Sequence, residues 1–76
     1  MEVIDARGLR CPMPLLRARR FLSTAAPGAY LQIWATDLGA PADFKAYCLQ
    51  TGHEFIGVER EPTSPEFFKI TLAKSS

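Results

Sequence analysis

Apolar and polar positions recur along this chain in two periods. From Tyr30 to Ala35, Leu31, Ile33 and Ala35 alternate with Tyr30, Gln32 and Trp34. That is the pattern of a strand with one buried face. Within Phe67 to Ala73, Phe68, Ile70 and Leu72 repeat it. Val3 and Ile4 mark a short strand over Met1 to Asp5, and Glu54 to Glu61 reads as another. Between these segments the period changes. Leu15, Ala18, Leu22 and Ala25 recur at helical spacing, helped by Leu16 and Phe21, and predict a helix from Pro12 to Ala25. Arg17, Arg19 and Arg20 fall mostly on its other side. A second helix is expected from Pro41 to Thr51, with Phe44, Tyr47, Cys48 and Thr51 on one stripe. Pro27-Gly28 stops the first helix, and Gly52 stands where a helix C-terminus favours a left-handed residue. Ala6 to Arg10 and Thr36 to Ala40 are loops, and Pro62-Thr63-Ser64-Pro65 is a turn.

The order is therefore βαβαββ. The first βαβ unit implies parallel strands joined by a right-handed crossover, and the short last connection implies an antiparallel hairpin. Two helices on one face of a four-stranded mixed sheet make an α/β two-layer sandwich. The chain carries no internal repeat, low-complexity segment or linker, so one domain over residues 1–76 is expected. Only Lys74-Ser75-Ser76 look frayed.

Composition narrows the class. Of 76 residues, 47% are apolar and 22% charged, which suits a globular chain and not a disordered one. The longest apolar run, Ala46 to Leu49, has four residues, whereas a membrane span needs about 20. Arg7, Arg10, Pro12 and Pro14 interrupt the apolar stretch that a signal peptide would need. A cytoplasmic location with no membrane partner is expected, and a reducing cytosol argues against a structural disulfide between the two cysteines. A net charge of +1 makes the whole chain no polyanion binder. The charge is uneven, however. Residues 1–30 hold five arginines against Glu2 and Asp5, a net +3, and residues 31–76 hold four basic and six acidic residues, a net −2.

The basic part surrounds the run Arg10-Cys11-Pro12-Met13-Pro14. Proline costs little in the first helical turn, where N–H groups lack intrahelical partners. This places Cys11 at the N-cap of the first helix, near the positive end of its dipole, with Arg7 and Arg10 upstream. The expected result is a pKa on the order of 7 to 7.5, lowered from about 8.5. A small buried hydrophobe is the bland alternative, and the prolines, the arginines and the helix start oppose it. No Ser-His-Asp or Cys-His dyad accompanies Cys11, since His53, the only histidine, opens the third strand. A thiolate without a base suits thiol exchange or sulfur transfer better than amide hydrolysis. Pro12 and Pro14 would stiffen the helix start, Gly8 would let the loop fold back, and Asp5 would either bond loop N–H groups near Cys11 or stand solvated.

Cys48 lies on the apolar stripe and reads as a buried structural cysteine, ahead of a resolving thiol or a metal ligand. Cys11, Cys48 and His53 lack the short paired spacing of zinc sites, so no metal is expected. Arg17, Arg19 and Arg20 are by default a solvated helix face, but beside a reactive cysteine they could dock an acidic partner. Aromatic and basic residues are not interleaved, so direct nucleic-acid binding is not expected. Trp34 is either exposed or a cover for the open face of the sheet.

The run Asp5-Ala6-Arg7-Gly8-Leu9-Arg10-Cys11-Pro12-Met13-Pro14 resembles the D-x-x-G-x-x-C-P-x-P signature of TusA/SirA-like sulfur carriers. Ala35-Thr36-Asp37, Asp43-Phe44 and Thr51-Gly52-His53-Glu54 extend the resemblance along nearly the whole chain. One departure is Leu38, where the family often has proline. The resemblance implies strand order 1-2-4-3 and a cytoplasmic sulfurtransferase that takes sulfur as a persulfide on Cys11. It implies a cysteine desulfurase or another sulfur donor protein upstream, a sulfur-acceptor protein downstream, and no dissociable cofactor. Uses in the family include tRNA thiolation, cofactor synthesis and sulfur oxidation. The rival readings are a regulatory or binding module that uses the basic helix, with Cys11 as a redox sensor, and a selenium carrier with the same chemistry.

Overall fold

The computed structural model describes residues 1–75. Six elements follow in the expected order: β1 (Glu2–Ala6), α1 (Met13–Thr24), β2 (Tyr30–Ala35), α2 (Ala40–Thr51), β3 (Glu54–Glu61) and β4 (Phe67–Ala73). They form one four-stranded mixed sheet in the order β1-β2-β4-β3. β1 runs parallel to β2, with Ile4 opposite Ile33, and β4 pairs antiparallel with both β2 and β3.

The alternation in β2 determines which face is covered. Leu31, Ile33 and Ala35 are fully buried, as are Ile70 and Leu72 beside them on β4. Ala18 and Leu22 of α1 and Phe44 and Cys48 of α2 close the same core. Leu16 differs from its expected place on the core side, being 46% exposed. Pro14 takes a buried position instead, because Pro14, Ala18 and Leu22 recur every four residues and share the inward face of α1, with Pro14 beside Ala40 and Phe44 of α2.

Among the described residues, no helix lies over the other face of the sheet. There Trp34 is half-buried, its ring 5.3 Å from Phe67 and its Nε1–H donating to Gln32 at 2.8 Å. The Arg7 guanidinium lies 5.1 Å from the Trp34 ring and 4.9 Å from Phe67. Trp34 therefore covers part of the open face, and a cation packs on it.

The expected fraying of the C-terminus does not hold for Lys74 and Ser75; Ser76 lies outside the described residues. The Lys74 N–H donates to Ala29 at 2.8 Å, its carbonyl accepts from Gly28 at 2.9 Å, and its ammonium reaches the Leu22 carbonyl. The Ser75 N–H donates to His53 Nδ1 at 3.1 Å. Backbone bonds to the α1–β2 connection thus hold Lys74.

Candidate functional site

Parallel pairing of β1 and β2 places the loops that follow them at the same end of the sheet. The first loop carries Cys11 and the second carries Asp37. Two bonds join them: the Gly8 N–H donates to Thr36 Oγ1 at 2.9 Å, and the Cys11 N–H donates to Asp37 Oδ2 at 3.0 Å. Gly8 has φ of 82°, a left-handed turn that side-chain-bearing residues adopt only with strain. Asp37 Oδ1 accepts the Gly39 N–H at 3.1 Å, so one carboxylate shapes its own loop and holds the cysteine loop as well.

Cys11 is exposed and Cys48 is buried, and both are free thiols. Cys11 is not the N-cap of α1. Pro12 occupies that position and Met13 is the first helical residue. The Arg10 carbonyl accepts the Met13 N–H at 2.9 Å, closing a turn around Cys11. Its N–H thus faces a carboxylate, and its sulfur stands one residue outside the helix.

The electrostatics reverse the expected acidity. The Cys11 thiol is pushed up from its ordinary value. Hydrogen bonding to Asp43 is the largest cause, followed by burial and then by the negative charges of Asp43 and Asp37. The expected arginine help is missing because Arg7 is engaged elsewhere. It forms a two-point pair with Asp5, Nε to Oδ1 at 2.9 Å and Nη2 to Oδ2 at 2.8 Å. Hydrogen bonds from the Arg7 side chain and backbone hold the Asp5 carboxyl at about 2. Asp5 does take up an Asx-type bond, from the Arg7 N–H at 3.2 Å, but Asp37 is the carboxylate that reaches Cys11. Arg10 is exposed.

Cys11, Asp37 and Asp43 are the polar residues of a cleft of about 180 Å³, counted with its open mouth. Pro12, Pro14, Leu15, Ala40 and Phe44 form its apolar wall. Arg17, Arg19 and Arg20 lie outside that cleft on the exposed face of α1, where Met13 and Leu16 share a shallow groove with Arg17 and Arg20. The structure thus places Cys11, Pro12 and Pro14 together and sends Asp5 and Arg7 to the open sheet face. Asp37 and Asp43 are the site residues that the sequence reading missed as partners of the thiol. The signal that finds them is topological, since loops after parallel strands meet at the strands' C-terminal ends.

The sequence pattern of the Sulfurtransferase TusA family matches residues 2–74. The chain belongs to the TusA family. Its relatives include the sulfur carrier protein TusA of Allochromatium vinosum, 43% identical over 60 residues that cover 79% of each chain. TusA of Pseudomonas aeruginosa is 34% identical over 59 residues, covering 78% of this chain and 75% of that one. In three dimensions, a SirA-like protein from Desulfitobacterium hafniense superposes over 100% of both chains with a TM-score of 0.77 at 19% identity, a likeness of fold. A TusA-family chain has a sulfur-transfer role, with sulfur donors and acceptors as its general partners. Among the described residues, no helix is long and apolar enough to cross a membrane.

Proposed function

We propose that this chain, acting as one domain over residues 1–76, is a cytoplasmic carrier that accepts sulfur as a persulfide on Cys11. It then passes that sulfur to a thiol of an acceptor protein. One observation carries the reading: the exposed thiol of a sulfur-carrier family member stands on a loop fixed to the neighbouring loop through Gly8 and Cys11. In the loading step the Cys11 thiolate attacks the outer sulfur of a donor persulfide. A new S–S bond forms on Cys11 and the donor's S–S bond breaks. Its electron pair leaves on the donor's inner sulfur, which takes up the proton that Cys11 lost. Unloading repeats the exchange with the acceptor thiol as the attacking group. No electrons are gained or lost overall, so the reading needs no cofactor.

Pro12 and Pro14 shape the start of α1 beside the sulfur, Gly8 and Arg10 turn the loop, and Asp5 anchors its root through Arg7. Arg17, Arg19 and Arg20 supply the docking face for donor or acceptor. Turnover as a sulfurtransferase then depends on those partner proteins. A regulatory module with Cys11 as a redox sensor is the weaker reading, because the named relatives of this chain are sulfur carrier proteins.

The test is intact mass after incubation with a cysteine desulfurase and cysteine, followed by peptide mapping. The expected result is one added sulfur on Cys11 and none on Cys48. Absence of added sulfur on Cys11 with several protein donors would favour the regulatory reading.

A further inference from the structure

The cleft at Cys11 is lined by two carboxylates and no cation. Asp37 reaches it from the β2–α2 loop and Asp43 from the first turn of α2. A Cβ placed on Gly39 would lie 3.7 Å from Asp37 Oδ1 and 3.9 Å from Asp43 Oδ2, so the two carboxylates flank one spot. Of the charged side chains, only these two line the cleft, and both raise the Cys11 thiol; Arg10, the neighbour of Cys11, is exposed and lies outside that lining. α1 adds only Pro14 and Leu15 to the wall, and Arg7 is committed to Asp5 and to the faces of Trp34 and Phe67. An anion approaching the Cys11 thiolate therefore meets three negative charges.

We propose that Asp43, together with Asp37, sets the charge class of the sulfur donor. The pair turns away small anionic sulfur compounds, such as inorganic polysulfide. It reserves Cys11 for a sulfane sulfur whose charge is neutralised by the protein presenting it. The proposal rests on the carrier reading. The disfavoured reaction is chemically sound: a Cys11 thiolate and a tetrasulfide dianion would give a Cys11 persulfide anion and a trisulfide dianion. One S–S bond forms and one breaks, and the electron pair leaves on the trisulfide. Repulsion acts as the reactants close, so it slows the rate without forbidding the product.

The test compares alkylation of Cys11 by iodoacetate, an anion, and by iodoacetamide, which is neutral, in the full chain carrying Cys48→Ala. Both reagents consume the same thiolate, so their rate ratio cancels the acidity of the thiol. The iodoacetate-to-iodoacetamide ratio is expected several-fold below that of 2-mercaptoethanol, and it should rise with salt as the carboxylates are screened. Asp43→Asn should raise the ratio about threefold at low salt, the size expected of one charge about 5–6 Å away in water. Loading from tetrasulfide, divided by the iodoacetamide rate and followed by intact mass, should rise in parallel. A ratio equal to that of 2-mercaptoethanol and insensitive to salt overturns the proposal without any variant. A ratio unmoved by Asp43→Asn overturns the part assigned to Asp43. Failure of the carrier reading is read separately, as absence of added sulfur from every protein donor while the ratio behaves as stated.

Discussion

Cys11 keeps the company of carboxylates, and a thiol in that company holds its proton. Its folded pKa is raised, so the stability linked to it is whole below the unfolded value of about 8.5 and is lost as pH rises through the folded one. Alkylation of Cys11 in a Cys48→Ala background should therefore titrate with a midpoint above that of a free cysteine. Asp43→Asn should move the midpoint down. A midpoint near 7 in the unmodified chain would mean that the helix terminus dominates after all. A raised pKa lowers the thiolate fraction at any given pH, which slows oxidation and alkylation of the sulfur. Cys48 is a different case. It is 4% exposed in the core, and burial alone pushes its thiol up. Cys48→Ala should cost about 1 kcal/mol of stability in denaturant titration and leave sulfur loading intact. Loss of loading in a folded Cys48→Ala protein would point to a two-cysteine relay. The burial of Cys48 was legible from its place on the α2 stripe. The acidity of Cys11 was not, because it depends on residues 26 and 32 positions further along the chain.

Among the elements, α1 carries a buried face and a basic exposed face. Pro14, Ala18 and Leu22 seat it on the sheet, and Arg17, Arg19 and Arg20 point away from it. Charge reversal at Arg17 and Arg20 should slow association with an acidic partner and flatten its salt dependence, as measured by stopped-flow mixing at several ionic strengths. Alkylation by neutral iodoacetamide should hardly change, since neither arginine lines the cysteine cleft. Equal association rates for both proteins would remove this face from the docking account. The helices and strands were legible because their periods differ and because Pro, Gly and turn residues punctuate them. The boundaries of β2, β3 and β4 match the expected ones, whereas β1 shifts by one residue and α1 begins after Pro12. That single residue matters chemically, since Pro12 and not Cys11 takes the N-cap, and Asp43 and Asp37 are the charges that raise the thiol.

For the whole molecule, periodicity gave the two layers, but the β1-β2-β4-β3 order was expected only from the family resemblance. Pattern alone does not say which edge the last hairpin joins. Nor did composition reveal that Lys74 and Ser75 are tied down. His53 accepts the Ser75 N–H, and its pKa is lowered by burial and then by the charge of Lys74. The ring also lies 5.9 Å from Tyr47. A depressed folded pKa makes this contribution whole above the unfolded value of about 6.5 and loses it as pH falls through the folded one. NMR titration should place the His53 midpoint below that of a free imidazole, and exchange of the Ser75 amide should accelerate as the ring protonates. An ordinary midpoint would separate the ring from the tail. At the opposite edge of the sheet, the Arg7 guanidinium rests on the ring of Trp34, one residue before the glycine that opens the cysteine loop. Trp34 is the only tryptophan in the chain. The molecule therefore carries its own optical gauge: a binding event that displaces Arg7 leaves Lys69, 5.5 Å from the ring, as the indole's remaining cation, and the emission of the one tryptophan reports the change without a label.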